Sequence, residues 1–274
     1  MPENPEVTIM ADSINAKFGG KTLLSIQWFY VPGKKTHNCT YALYSELEKK
    51  LPLKLEKVWN KGKKIIFEFV GEIYIISAPL MTGGWSYTNT KYQKYQMNFQ
   101  TDEKEQFAIF DDKLGQGLSN VYFTKVDVEK KLAEIGPDFL HGNITLEDYK
   151  RVITGSRIKN KEICDFIMSQ KYFSGCGNYI KCEVLYSCKI LPTRLLKDLS
   201  DDDIKNLYNN TLRIVKLSYE SSGLTIRDFI SPENVLGSFK CKVYGCELDE
   251  NGYKVLKGIF KDKRTTHYVL EVQK

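Results

Sequence analysis

The sequence predicts an α+β multidomain protein: an N-terminal helix with an antiparallel β-sandwich, then a helical part, then a C-terminal β-hairpin. Three observations predict it. Short β-rich runs separated by turn residues occupy about 21–123, the apolar period becomes helical from Val128 to about Ser222, and strand-like residues return from about Leu236 to Lys274. A chain of 274 residues that is 42% hydrophobic has room for separate cores. The expected division is therefore 1–125, 126–235 and 236–274.

After Pro5, Val7, Met10, Ala11 and Ile14 fall at helical spacing, so the chain opens with a helix ending near Gly19-Gly20. The expected strands are Leu23–Phe29, Lys64–Phe69, Ile73–Ile76, Gln96–Phe99 and Phe107–Phe110. Expected helices follow at Val128–Ile135, Thr145–Thr154, Lys161–Gln170, Tyr179–Cys188 and Asp201–Ser221, the last with Ser200 as its N-cap. In the tail, Asp249-Glu250-Asn251-Gly252 reads as a hairpin turn. There is no repeat and no low-complexity segment.

Composition excludes several classes. No window approaches the run of about 18 apolar residues that spans a bilayer, and the N-terminus lacks the basic and apolar regions of a signal peptide. The expectation is an intracellular protein with no membrane partner. Lys+Arg 40 against Asp+Glu 34 gives a net charge of +6, which is compatible with a nucleic-acid partner. Seven cysteines form an odd set without a secretion signal, which predicts reduced thiols, most of them packing residues.

The densest chemistry lies at the start, Met1-Pro2-Glu3-Asn4-Pro5-Glu6-Val7. Removal of Met1 leaves a secondary amine at Pro2 beside a carboxylate at Glu3. An α-amino group titrates near pKa ~8, so a useful fraction is neutral and nucleophilic at pH 7. Attack of a secondary amine on an aldehyde-like carbon gives an iminium, charged at every pH, that withdraws electrons without a proton. Glu3 can supply and accept the protons. The alternative is an ordinary starting methionine with prolines before a helix.

A second cluster, Ser174-Gly175-Cys176-Gly177-Asn178, joins two expected helices. Gly175 and Gly177 permit positive φ and close backbone approach, and a helix beginning at Asn178 would offer free N–H groups to a phosphate. A Gly-rich interhelix turn with an Asn N-cap is the plainer reading.

Taken with Tyr179-Ile180-Lys181-Cys182-Glu183-Val184-Leu185-Tyr186 and Pro192, this cluster resembles the helix–two-turn–helix signature of the formamidopyrimidine-DNA glycosylase and endonuclease VIII family. The first seven residues are similar to that family's catalytic N-terminus, and Ile135-Gly136-Pro137-Asp138-Phe139-Leu140 resembles its entry to the helical domain. Lys61-Gly62-Lys63-Lys64-Ile65-Ile66-Phe67 resembles the family's glycine-lysine strand. It places Lys63 at the family lysine, with Lys64 next door the other candidate.

The tail departs from the family pattern. Tyr253, Val269 and Val272 stand where further zinc ligands would follow Cys246, and Cys241 and Cys246, even with His267, do not make a closed tetrahedral set. The expectation is no zinc. Lys263-Arg264-Thr265-Thr266-His267-Tyr268 still resembles the finger turn that presents an arginine to DNA, as in the zincless fingers of the Nei-like branch. A second departure is the loop Asp111-Asp112-Lys113-Leu114-Gly115-Gln116-Gly117, which lacks the arginine and phenylalanine that normally fill the gap left by a flipped base. Leu80-Met81-Thr82-Gly83-Gly84 resembles the family's methionine loop, so Met81 is either the intercalating wedge or a core residue at a strand end.

The resemblance thus implies a bifunctional DNA glycosylase/AP lyase that needs no cofactor. Pro2, Glu3 and Lys63 would be catalytic. Asn178, Arg264 and Lys63 would hold phosphate, Met81 would fill the void, and Glu6 and Glu183 would give structural support. It implies damaged DNA, single- or double-stranded, as the partner of a monomer acting at DNA in a nucleus, nucleoid or viral replication site, with oxidised pyrimidines, hydantoins and abasic sites as substrates. Fewer void fillers imply activity on single-stranded DNA at least comparable to that on duplex. The rivals are a DNA-binding protein on the same scaffold without the chemistry, and an unrelated two-domain binder of RNA or protein.

Overall fold

The computed structural model describes residues 2–29, 41–102, 104–225 and 229–274, so Met1 and Cys39 lie outside the described residues. The chain begins with helix α1 (Asn4–Phe18), whose first turn contains Pro5, where a missing N–H forfeits no helical bond. The expected stripe of Val7, Met10, Ala11 and Ile14 is completely buried, with Phe18 extending it.

Strands β1 (Thr22–Trp28), β2 (Leu53–Lys61), β3 (Lys64–Phe69), β4 (Ile73–Ala78), β5 (Gly83–Ser86), β6 (Gln93–Gln100), β7 (Glu105–Asp112) and β8 (Leu118–Tyr122) follow, with helix α2 (Tyr41–Glu48) between β1 and β2. Every strand pairing is antiparallel. The order β5-β7-β6-β1 continues through two residue pairs, Thr22↔Lys54 and Leu23↔Leu53, into β2-β3-β4-β8. That narrow link lets the two halves fold face to face. Phe67 of β3 meets Trp85 of β5 at a ring separation of 4.9 Å, and the Tyr95 hydroxyl of β6 shares a 2.8 Å hydrogen bond with Ser119 of β8. The expected sandwich is therefore present. α2 is a correction, since only short strands and turns were expected between about 21 and 123.

The helical part contains α3 (Lys125–Ala133), α4 (Leu146–Ile153), α5 (Ile163–Met168), α6 (Asn178–Ser187) and α7 (Asp201–Glu220). Ser200 caps α7 as expected, accepting a hydrogen bond from the Asp203 N–H. α4 through α7 enclose a second core that includes Tyr149, Phe166, Ile180, Leu185 and Leu207. In the tail, the paired strands are β9 (Leu256–Ile259) and β10 (Thr265–Tyr268) alone, so the β content is lower than expected. The turn at Asp249–Gly252 closes a single bridge, Leu248↔Lys254; the hairpin proper turns between Ile259 and Thr265.

The two cores are laced together around α1, which packs on β2 and β3 and against α7. Leu224 and Phe239 belong to the helical core, whereas Phe229 between them sits in the β-sandwich core. Tyr219 of α7 donates to Asp12 of α1 at 2.7 Å. Among the described residues no helix is long and apolar enough to cross a membrane.

Candidate active site

At the start of α1, Pro2 is buried at the seam between the sandwich and the helical part, and Glu3 is only 2% exposed. The Glu3 carboxylate reaches across the seam. Its Oε2 accepts from the Gly177 N–H at 2.7 Å and its Oε1 from the Tyr179 N–H at 3.0 Å. The free N–H groups expected to await a phosphate at the start of α6 are thus engaged by the chain's own carboxylate. The same helix-terminal field that would bind a phosphate holds Glu3.

Lys63 stands against the same spot. A Cβ built on Gly177 would lie 2.4 Å from Glu3 Cδ and 2.7 Å from Lys63 Nζ, so only glycine lets both side chains close on this backbone. Gly177 is needed for that approach and not for positive φ, which belongs to Gly175 at +98°. Burial pushes the Glu3 carboxyl up to about 7; the Lys63 ammonium and two backbone N–H groups pull the other way, while Glu6 adds to the rise. Burial also lowers Lys63, opposed by Glu3 and helped by the nearby Arg264 charge. Lys64 instead lies by Lys131 and Glu134 of the α3 region, which separates the two candidates on geometry.

Turn geometry fixes Lys63. Gly62 has φ +55° and no room for a Cβ beside Ser174. Its N–H donates to Asp138 at 3.0 Å and its carbonyl accepts from Asn4 at 3.1 Å. Asp138 also accepts from the N–H groups of Leu140 and His141. The Ile135–Leu140, Lys61–Phe67 and Ser174–Tyr186 motifs therefore meet at one node. Sequence reading missed the role of Asp138, although it lies inside a quoted motif.

Glu6 accepts from the Glu3 N–H at 2.9 Å, the Tyr179 hydroxyl at 3.0 Å and the Leu224 N–H at 3.0 Å, so it ties α1 to α6 and to the end of α7. Glu183 accepts from the N–H groups of Lys242, Val243 and Tyr244 at 2.8, 3.0 and 2.9 Å, anchoring the tail to α6. The Asn178 amide donates to the Thr265 carbonyl at 2.8 Å, one residue from exposed Arg264. Asn178, Lys63 and Arg264 are thus neighbours around the α6 N-terminus.

Met81 lies on the turn between β4 and β5 and is 37% exposed, which is not the environment of a core methionine. Thr82 beside it donates to Asp112 at 2.7 Å and accepts from the Leu114 N–H at 2.9 Å. Leu114, 48% exposed, is therefore tethered next to Met81. Its place beside Met81 was not legible while the loop was judged only by the arginine and phenylalanine it lacks.

The tail residues do not suit zinc. Val269 is fully buried with Cys182, Tyr186, Val243 and Val255, and Cys246 and Val272 pack against this group. The second half of a ligand set is hydrocarbon. Among the described residues no three His, Cys, Asp or Glu side chains group to hold a metal.

The β-sandwich and the helical part thus close on a buried Glu3, one residue from Pro2, with half-buried Lys63 against the same glycine. Residues 1–116 match the formamidopyrimidine-DNA glycosylase N-terminal domain, and residues 135–229 match the formamidopyrimidine-DNA glycosylase H2TH domain. Endonuclease 8 of Salmonella arizonae is 25% identical over 230 residues, 82% of each chain, and that of Escherichia coli O7:K1 is 26% identical over 228 residues, 81% of each. Lactococcus lactis Fpg solved with abasic-site DNA superposes with a TM-score of 0.85 at 22% identity over 99% of both chains. Fpg from the same species bound to DNA containing an oxidised pyrimidine gives 0.82 at 22% identity over 100% of both. The chain belongs to the formamidopyrimidine-DNA glycosylase and endonuclease VIII family.

Proposed function

We propose that this protein is a bifunctional DNA glycosylase/AP lyase that excises oxidised bases, mainly pyrimidines and hydantoins, and cleaves abasic sites through Pro2. The observation that carries the reading is the Glu3 carboxylate, buried on the α6 N-terminus with Lys63 against the same glycine and Pro2 next in sequence. The damaged nucleotide leaves the stack and enters the seam, because C1′ is unreachable inside a duplex. After removal of Met1, the Pro2 nitrogen attacks C1′; the N–C1′ bond forms, the C1′–base bond breaks, and the base departs with a proton. Opening of the sugar ring places a proton on O4′ and leaves an iminium. The iminium draws electrons from the C2′–H bond, Glu3 accepts that proton, and the 3′ phosphate leaves by β-elimination. A further proton loss expels the 5′ phosphate by δ-elimination, and water then hydrolyses the Schiff base and frees Pro2.

Lys63 serves as the cationic partner of these proton transfers. With Asn178 and Arg264 it also clamps the flanking phosphates, Arg264 with two donors at once. Met81 enters the gap left by the flipped base. The finger is held by packing without zinc, and the enzyme needs no other cofactor and works as a monomer on DNA. Because Met81 and Leu114 replace less stacking than an arginine and a phenylalanine would, single-stranded substrates are cleaved at least as well as duplex.

A gel assay with abasic and oxidised-pyrimidine oligonucleotides, single- and double-stranded, tests the reading. Wild type is expected to cleave both forms, and Pro2→Gly and Glu3→Gln to lose at least about 100-fold. Variants that cleave like wild type would refute the roles of Pro2 and Glu3; a large preference for duplex with the same lesion would refute the void-filling argument.

A further inference from the structure

We infer that the buried Lys181–Asp262 ion pair is the device that positions Arg264, in a finger whose interior offers hydrocarbon in place of a metal; the inference rests on the phosphate-clamp role proposed for that arginine. Lys181 lies on α6, four residues after Gly177, and Asp262 lies in the turn between β9 and β10. Both side chains are completely shielded from solvent. A lysine so enclosed cannot touch DNA, and the desolvation of two buried ions is offset only by close geometry and further hydrogen bonds.

What the pair fixes is the backbone of Arg264. The Lys181 ammonium contacts Asp262 and donates to the Thr266 hydroxyl at 2.8 Å. Asp262 in turn accepts from the Arg264 N–H at 3.3 Å, and the Thr266 hydroxyl donates to the Arg264 carbonyl at 3.3 Å. Both backbone polar groups of Arg264 are therefore held by the two partners of one buried lysine. The next carbonyl, that of Thr265, is held by Asn178. On the far side of the turn, the Lys261 N–H donates to Glu162 at 3.2 Å. The guanidinium is left exposed on a pinned backbone, and Gly177, which meets Glu3 and Lys63, caps the N-terminus of α6, the helix that carries Lys181. Lys181 and Asp262 are positioning residues, and Arg264 is the group that would touch phosphate.

The test compares the full chain carrying Lys181→Met with Asp262→Leu, Arg264→Ala alone, and all three changes together. Replacing both ions at once avoids a lone buried charge, so the double variant is expected to fold, with its melting temperature as the check; Lys181→Arg supplies a conservative version. The readouts are Kd for an oligonucleotide with a tetrahydrofuran abasic analogue and the single-turnover cleavage rate on saturating abasic DNA. The double variant is expected to bind at least tenfold more weakly with a saturated rate within threefold of wild type, Lys181→Arg to stay within threefold in Kd, and the triple variant to bind within twofold of Arg264→Ala. If the double variant binds like wild type, or its effect adds fully to that of Arg264→Ala, the inference is wrong while the clamp stands. If Arg264→Ala itself binds like wild type, the clamp reading fails and takes the inference with it.

Discussion

Glu3 carries the sharpest consequence of the structure at the residue scale. Its carboxyl keeps a proton up to about 7 because burial outweighs the attraction of Lys63. In the proposed reaction Glu3 accepts the C2′ proton and works only when ionised, so lyase activity is expected to rise as pH increases through about 7 and to fall on the acid side. Single-turnover cleavage of abasic DNA across pH 5 to 9 is expected to show a one-proton rising limb centred near 7, and Glu3→Gln to lose that limb. An unchanged limb in Glu3→Gln would assign it to another group. This residue was legible in the sequence through its neighbours Pro2 and Glu6. Its place on the α6 N-terminus was not, because Glu3 and Gly177 lie 174 positions apart and no local pattern links them. Lys181 and Asp262 escaped for the same reason, since they lie 81 positions apart and no local pattern links them.

At the scale of elements, legibility follows regularity. α1 and α7 were readable because a one-sided apolar stripe and a Ser200 cap are local signals. β2 was not: a register shift between Leu55 and Lys57 breaks its alternation, leaving Leu55, Val58 and Asn60 buried at uneven spacing. β8 hid behind Ser119, a fully buried serine that shares hydrogen bonds with Tyr44 and Tyr95 and so looks polar in sequence. β5 begins with two glycines and read as loop. The α6 N-terminus gives the element-scale prediction. In Gly177→Ala the methyl group would meet Glu3 Cδ at 2.4 Å, and the carboxylate cannot retreat without losing its N–H partners. The expected cost is about 1–3 kcal/mol in stability and roughly 100-fold in cleavage, read by thermal melting and single-turnover kinetics. A variant with wild-type rate would show that Glu3 and Lys63 do not need that backbone between them.

Across the whole molecule, the proposed function needs the two cores held together. Glu3, Glu6 and Asp12 of the first chain segment reach Tyr179, Leu224 and Tyr219 of the helical part, while Phe229 returns to the sandwich core. Glu3, next to Pro2, is thereby fixed at the seam on the N-terminus of α6, where Asn178 holds the Thr265 carbonyl. Composition and motif order made the two-part plan readable, but the lacing between the parts is made of single long-range hydrogen bonds that periodicity does not record. The central claim is that the Pro2 nitrogen, freed of Met1, forms a covalent iminium with deoxyribose. Borohydride trapping on abasic DNA followed by peptide mass analysis tests it most directly: the expected product is a reduced sugar adduct on an N-terminal peptide beginning at Pro2, absent in Pro2→Gly at matched protein concentration. An adduct on a lysine, or none from a protein whose N-terminus is shown to be Pro2, would contradict the account.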